Sequence, residues 1–144
     1  MANITTYLEN KLLEHSLKGN WTTNLPTTTY AGLFIVSPTV AGTDGTEVGS
    51  IDAGYSRISM ATKWGTAANG TISNTTSLIW NATGYWASGT GATASSSITT
   101  IGIFDAQTVN TGNLLWFGPL STSITMGNGD SFTIPVGNLN ITLL

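Results

Sequence analysis

The stretch Ile98-Thr-Thr-Ile-Gly-Ile-Phe104 is followed, after a short polar segment, by Leu114-Leu-Trp-Phe117. Both runs are apolar and rich in β-branched or aromatic residues, which favours strands. The intervening residues 106–112 are polar and include a glycine, so they indicate the loop of a β-hairpin. This hairpin predicts an antiparallel sheet, and the rest of the chain extends the same pattern.

Further strand patterns lie on both sides of the hairpin. Tyr30-Ala-Gly-Leu-Phe-Ile-Val36 is a continuous apolar run between two prolines, and it is short enough for a buried strand. We count about eight strands between residues 28 and 143, at spacings typical of a sandwich or barrel. The sequence therefore predicts an all-β fold, a β-sandwich of the jelly-roll type. The remaining strand candidates are 55–64, 71–80 (interrupted at Asn74), 131–134 and 139–143.

The composition agrees with this fold class. Threonine, serine, asparagine and glycine make up nearly half of the 144 residues, whereas charged residues account for 8% against about 25% in an average domain. Threonine suits a pleated, half-solvated surface, and the other three suit turns. The length predicts one domain over residues 1–144, and the chain has no cysteine for a disulfide.

Charge and hydropathy exclude several kinds of partner. The net charge is −3, and the cations are Lys11, Lys18, Arg57 and Lys63, too few for a face that neutralises phosphates. No apolar run approaches the roughly 18–20 residues of a membrane span, and the start lacks the pattern of a secretory signal. We therefore expect a protein that binds neither nucleic acid nor membrane and is used without export.

One segment, Thr6–Lys18, has the pattern of a helix. Thr6 and Glu9 have the spacing of a capping box, and Gly19 is a suitable terminator. Apolar residues recur at helical spacing and predict a single buried stripe. The residues of this stripe are Leu8, Leu12, Leu13 and Leu17.

Candidate catalytic residues are few. His15 is the single histidine, so histidine-rich and cysteine-containing metal sites are excluded. A serine triad would have to use His15, and the chain has no Gly-x-Ser-x-Gly elbow. We interpret His15 as an exposed helix residue.

The acidic residues outside the helix are interpreted as turn residues, and Asp44, Glu47 and Asp130 lie directly beside glycine or threonine. This setting indicates turn-capping carboxylates rather than a catalytic pair. A calcium loop built from Asp44 and Glu47 is the alternative. The acidic residues in question are Asp44, Glu47, Asp52, Asp105 and Asp130.

Aromatic residues could form a platform for a sugar ring. Trp64, Trp80 and Trp116 lie in or beside strands and are interpreted as core, whereas Trp21, Tyr85 and Trp86 lie near loops and are the better candidates for partner contact. Taken together, the residues predict no enzyme, with no catalytic residue, no cofactor site and no metal site.

Two segments are predicted to be long exposed connections. Residues 41–53 contain several polar turns, and residues 86–97 are a low-complexity stretch of small residues. Loops on a rigid β-scaffold commonly carry recognition. We therefore expect partner contacts there and in the N-terminal region.

Five motifs, in order, resemble a family of small structural proteins of tailed bacteriophages. They are residues 2–15 (Ala-Asn-Ile-Thr-Thr-Tyr-Leu-Glu-Asn-Lys-Leu-Leu-Glu-His), 29–34 (Thr-Tyr-Ala-Gly-Leu-Phe), 45–48 with 54–57 (Gly-Thr-Glu-Val and Gly-Tyr-Ser-Arg), 102–106 with 112–118 (Gly-Ile-Phe-Asp-Ala and Gly-Asn-Leu-Leu-Trp-Phe-Gly), and 128–142. The resemblance covers nearly the whole chain, and the chain departs from it mainly at residues 88–97.

Members of this family are often labelled tail fibre proteins, and similar β-rich proteins serve as capsid cement or decoration proteins. The resemblance implies a virion component without an active site. Because the chain is short and lacks fibre repeats or heptads, we expect a cement protein on the capsid surface. Its partners would be the major capsid protein and copies of itself, as a dimer or trimer. The alternative is a tail fibre or tail-tip subunit that binds a receptor or carbohydrate.

Overall fold

Ten strands and one helix are present in the part of the chain that the structure, a computed structural model, describes. That part comprises residues 3–18, 26–49, 54–84, 86 and 96–143. The elements in chain order are β1 (Asn3–Ile4), α1 (Thr6–Lys18), β2 (Tyr30–Val36), β3 (Thr46–Glu47), β4 (Ile58–Ser59), β5 (Thr71–Ser73), β6 (Leu78–Asn81), β7 (Ser97–Phe104), β8 (Leu114–Thr125), β9 (Ser131–Ile134) and β10 (Asn140–Thr142).

The main sheet has six antiparallel strands. Its order is β1-β8-β7-β2-β3, and β4 also pairs with β2. The predicted hairpin is confirmed as β7 and β8, and the predicted strand at Tyr30–Val36 has the same bounds in the structure. The sheet is thus built around the three longest apolar runs of the sequence.

A second layer consists of two short antiparallel ladders, β5 with β10 and β6 with β9. Its inward side chains meet those of the main sheet in one large apolar core. In this layer the rings of Trp80 and Phe132, which are cross-strand partners, stack with centroids 5.8 Å apart. The all-β sandwich with one N-terminal helix is confirmed.

The opposite face of the main sheet carries a smaller apolar cluster of Phe34, Phe104, Leu114 and Phe117. The Phe34 and Phe104 rings stack with their centroids 5.7 Å apart. They leave room only for glycine at position 102. A Cβ atom on Gly102 would lie 2.6 Å from the Phe34 ring and 2.7 Å from Leu114 Cδ1. The glycine therefore makes room for the aromatic pair.

Several strands differ from the sequence prediction. β1 precedes the helix and β3 lies within the predicted loop 41–53, whereas the predicted strand 55–64 is reduced to β4. β8 continues past Phe117 to Thr125. Two-residue strands are too short to show a periodicity in the sequence. β1 and β3 are defined instead by their pairing with β8 and β2.

The helix is capped one residue earlier than the sequence predicts. The Thr5 hydroxyl oxygen accepts a hydrogen bond from the Leu8 amide at 3.4 Å, and the Thr5 carbonyl accepts one from the Glu9 amide at 3.0 Å. The same hydroxyl donates to the Leu114 carbonyl at 2.7 Å. Thr5 is therefore the N-cap and joins α1 to β8, and the capping box predicted at Thr6 is wrong.

The predicted leucine stripe is also wrong. Leu8 and His15 are buried, whereas Leu13 is 56% and Leu17 80% exposed. At 100° per residue, His15 lies within about 20° of Leu8 around the helix, but Leu13 and Leu17 lie about 140° and 180° away. His15 thus occupies the buried face, and the interpretation of an exposed histidine is wrong. The predicted terminator Gly19 lies outside the described residues.

α1 has neither the length nor the apolar content of a membrane-spanning helix, and no other helix occurs in the residues that the structure describes.

Candidate functional site

A buried ion pair links β3 to the segment before β4. Arg57 donates from Nη2 to Glu47 Oε2 at 2.6 Å and from Nε to Glu47 Oε1 at 2.7 Å. The two side chains are 1% and 6% exposed. This two-pronged geometry is the strongest that arginine makes with a carboxylate, and it offsets part of the cost of removing both charges from water.

The same guanidinium also holds the loop of the β7–β8 hairpin. Arg57 Nη1 donates to the carbonyls of Ala106 at 2.7 Å and Thr111 at 3.0 Å. Its Cζ lies 3.4 Å from the centre of the Phe104 ring, a cation–π contact. One side chain therefore connects the hairpin loop, β3 and the smaller apolar cluster.

Tyr55 completes this network. Its hydroxyl donates to Glu47 Oε1 at 2.9 Å and accepts from the Leu33 amide at 2.9 Å. Burial, followed by the negative charge of Glu47, raises the pKa of Tyr55 well above its ordinary value. Tyr55 therefore keeps its proton and acts as a hydrogen-bond donor to the carboxylate at physiological pH.

The network of Glu47, Tyr55 and Arg57 is structural in character. Its donors are directed at a carboxylate and at backbone carbonyls of the same chain, and none of the three residues lines the groove described below. A buried arginine bonded in this way is fixed in place rather than available to a substrate. The arrangement stabilises a loop instead of presenting a reactive group.

The acidic residues have two different roles, of which the sequence predicted only turn capping. Asp105 accepts from the Asn113 amide at 2.6 Å and Asp130 from the Gly127 amide at 2.6 Å, so their turn-capping role is confirmed. Glu47, in contrast, is a strand residue in a buried ion pair.

The proposed calcium pair is not formed. The Asp44 side chain is exposed and accepts from the Thr43 hydroxyl at 3.1 Å, while both Glu47 oxygens are occupied by Arg57. Among the described residues no three His, Cys, Asp or Glu side chains are close enough to share a metal ion. Asp52 lies outside the described residues.

The tryptophan assignments are partly corrected. Trp86 is fully buried and meets the Tyr55 ring edge-on, with centroids 5.3 Å apart, so it cannot be a surface platform for a sugar. Trp80 is core, as predicted, and Trp64 and Trp116 are half-buried beside the core. Trp21 and Tyr85 lie outside the described residues.

An open groove lies where β8 faces β9 and β10. Its volume is about 650 Å³, which is within the range of ligand pockets. Its lining is mainly apolar, with aliphatic and aromatic side chains, and also includes hydroxyl and amide groups. None of the described residues that line it is charged. The walls include Ile101, Ile103, Leu120, Ile124, Ile134 and Ile141.

The network uses residues from two of the five sequence motifs. Residues 45–48 supply Glu47, residues 54–57 supply Tyr55 and Arg57, and residues 102–106 supply Phe104 and the Ala106 carbonyl. Sequence reasoning did not identify the ion pair. The available signal was that Arg57 is the single arginine of a chain poor in charge.

Comparison with protein families gives a match over almost the whole chain. A family model described as "Podophage GP4 fiber I protein gp80" matches residues 3–142. The match covers almost the whole chain, so the chain belongs to this family of phage fibre proteins. A comparison with curated proteins finds no match. The resemblance to phage structural proteins is thereby confirmed.

Proposed function

We propose that this member of the podophage fibre family is a subunit of a fibre on the virion tail, where it acts as a non-catalytic, oligomeric building block. The family match over residues 3–142 carries the proposal. It favours the tail fibre alternative of the sequence analysis over the capsid cement protein.

The physical character of the domain supports a structural role. Arg57, held in place by its buried ion pair with Glu47, bonds the loop of the β7–β8 hairpin to the rest of the main sheet. Only two of the 81 residues from position 64 onward, Asp105 and Asp130, are charged. Burying a neutral surface of hydroxyl and amide groups against other copies would cost less desolvation energy than burying a charged one.

A capsid cement protein is the second candidate. The sequence contains neither a fibre repeat nor coiled-coil heptads, which favours a decoration protein over a long shaft. In that case the partners would be the major capsid protein and copies of this chain.

Labelled virions distinguish the two locations. The Ser96 amide donates to the Trp86 carbonyl at 2.9 Å, so the described ends of segment 87–95 meet, and a short epitope can be placed within it. We expect antibody–gold to mark the tail in electron micrographs, with unmodified virions as the control. Label on the head surface would overturn the fibre assignment and support the cement protein.

A further inference from the structure

The helix carries a neutral outward stripe, which we define as Thr6, Asn10, Leu13 and Leu17. All four residues are exposed. At 100° per residue they fall within a sector of about 60° on the side opposite Leu8. Spacing of this kind is how an amphipathic helix presents anchors to a groove. Leu13 and Leu17 are therefore apolar side chains directed away from the domain that bears them.

The groove between β8 and the β9–β10 layer offers a matching surface. Its lining is mainly apolar and it is open to solvent. Its exposed polar residues include Ser121, Thr122 and Asn138. A charged occupant would lose its water there without meeting an opposite charge, which is costly. The groove therefore fits an apolar, uncharged surface.

The charges of α1 are placed to allow such a fit. Glu9 and Glu14 lie about 70° to either side of the centre of the outward stripe, so they would remain at the rim when Leu13 and Leu17 enter the groove. Glu14 also pairs with Lys11 at 3.6 Å on the flank of the helix. The stripe and the groove are thus complementary in being apolar and uncharged.

We propose that the outward stripe of one copy of this chain occupies the groove of a second copy. The two surfaces are different patches, so the contact is head-to-tail, and repetition either closes a ring or extends a filament. This inference rests on the proposed function and specifies how its oligomer would be built.

Surface variants test the contact by sedimentation velocity. The first variant, Leu13→Lys with Leu17→Lys, removes the apolar side chains of the stripe. The second variant, Asn138→Arg, places a charge in the groove. All three residues are exposed, so the fold should tolerate the changes. We expect the oligomer of the unmodified chain to dissociate in both variants. Loss of each leucine should weaken association by on the order of tenfold or more.

Matched controls place the same charges elsewhere. Ser16→Lys lies on α1 outside the stripe and Gln107→Arg lies on the hairpin loop, and both residues are exposed. They should leave the oligomer intact. A monomeric unmodified chain, or an oligomer that survives either test variant, overturns the proposal.

Cross-linking tests the head-to-tail geometry directly. Because the chain has no cysteine, a Leu17→Cys copy mixed with an Asn138→Cys copy can be joined by a short bis-maleimide at one position each. We expect a heterodimer of about twice 15.0 kDa. Leu17→Cys mixed with Gln107→Cys is the control and should give none.

The remaining outcomes are also decisive. Cross-linking of Leu17→Cys with itself alone would indicate a symmetric helix–helix contact and overturn the proposal. If the sedimentation and cross-linking experiments fail, the proposed location on the tail is not affected, because gold labelling of virions measures location independently of how the copies contact each other.

Discussion

Arg57 and Glu47 illustrate how single residues stabilise this domain. In a chain with little charge, one arginine and one glutamate are buried together and bonded to each other, to Tyr55 and to the hairpin loop. A buried charge that loses its partner is strongly destabilising, whereas an exposed pair contributes little. This contrast gives the first prediction.

Arg57→Met should lower the free energy of unfolding by about 3–5 kcal/mol, because it leaves the Glu47 carboxylate buried without its partner. Urea denaturation followed by tryptophan fluorescence measures the change. Lys11→Met breaks the partly exposed pair with Glu14 and should cost no more than about 1 kcal/mol. Equal effects of the two variants would contradict the structural role of Arg57.

Tyr55 should make stability sensitive to alkaline pH. Its folded pKa is raised above the ordinary value of 10.0, so the folded state retains a proton that the unfolded chain releases. The resulting contribution is complete below about pH 10 and is lost as the pH rises through the folded pKa.

Tyr55→Phe should therefore reduce the loss of stability between about pH 9 and pH 11. At neutral pH it should cost about 1–3 kcal/mol, because the buried Leu33 amide loses its acceptor. Thermal denaturation at several pH values measures both effects. The exposed Tyr7→Phe control should retain the alkaline decline, and an unchanged decline in Tyr55→Phe would refute the assignment.

Gly102→Ala should destabilise the domain by about 1–3 kcal/mol, because its Cβ would overlap the Phe34 ring and Leu114. Phe34→Leu removes one of the overlapping atoms. In the double variant the loss should therefore be smaller than the sum of the two single losses. Strictly additive losses in denaturant titrations would show that crowding is not the cause.

At the scale of elements, the position of α1 depends on the residue that caps its first turn. Thr5 is fully buried and its hydroxyl joins the Leu8 amide to the Leu114 carbonyl. Thr6 is exposed, although its sequence setting is that of a cap. The helix therefore owes its position to one hydroxyl that is shared between α1 and β8.

Thr5→Ala should cost about 1–2 kcal/mol and Thr6→Ala close to nothing, because only the former removes the cap. Thermal melts followed by circular dichroism compare the two variants. A larger loss from Thr6→Ala would restore the capping box that the sequence predicts.

The strands show a similar dependence on context. The β7–β8 ladder shifts register between Ile98 and Thr100, and this shift allows Ile98 and Ile101 to share the large core although they are three residues apart. Simple alternation along a strand does not produce this arrangement.

At the scale of the whole molecule, the structure limits how much of the predicted exposed connection 86–97 can be removed. Ser97 belongs to β7 and Ser96 is bonded to Trp86, so a deletion over that range would cut into the sheet. The change that spares the described residues is confined to 87–95.

Replacing residues 87–95 with Asn-Gly should leave the melting temperature nearly unchanged, because a two-residue turn can join the adjacent ends at Trp86 and Ser96. If this segment carries partner contacts, the variant should be incorporated less into virions, or should yield particles less resistant to heat and salt. Quantitative mass spectrometry of purified particles measures incorporation. Undiminished incorporation and particle stability would show that the contacts lie elsewhere.

The amino-acid sequence by itself determined the fold class, the helix over 6–18, the β7–β8 hairpin and the turn-capping role of Asp105 and Asp130, because apolar periodicity and the residue types of turns can be read along the chain. The family motifs were also recognisable in the sequence.

Only the tertiary structure decided which surfaces are buried and which side chains meet. It placed His15 inward and Leu13 outward, selected Thr5 over Thr6 as cap, buried Trp86, and paired Glu47 with Arg57. The reason is physical. Helical periodicity gives angles around α1 but not the side from which the sheet approaches. An ion pair between residues ten positions apart forms because β2, β3 and the hairpin loop enclose both charges together.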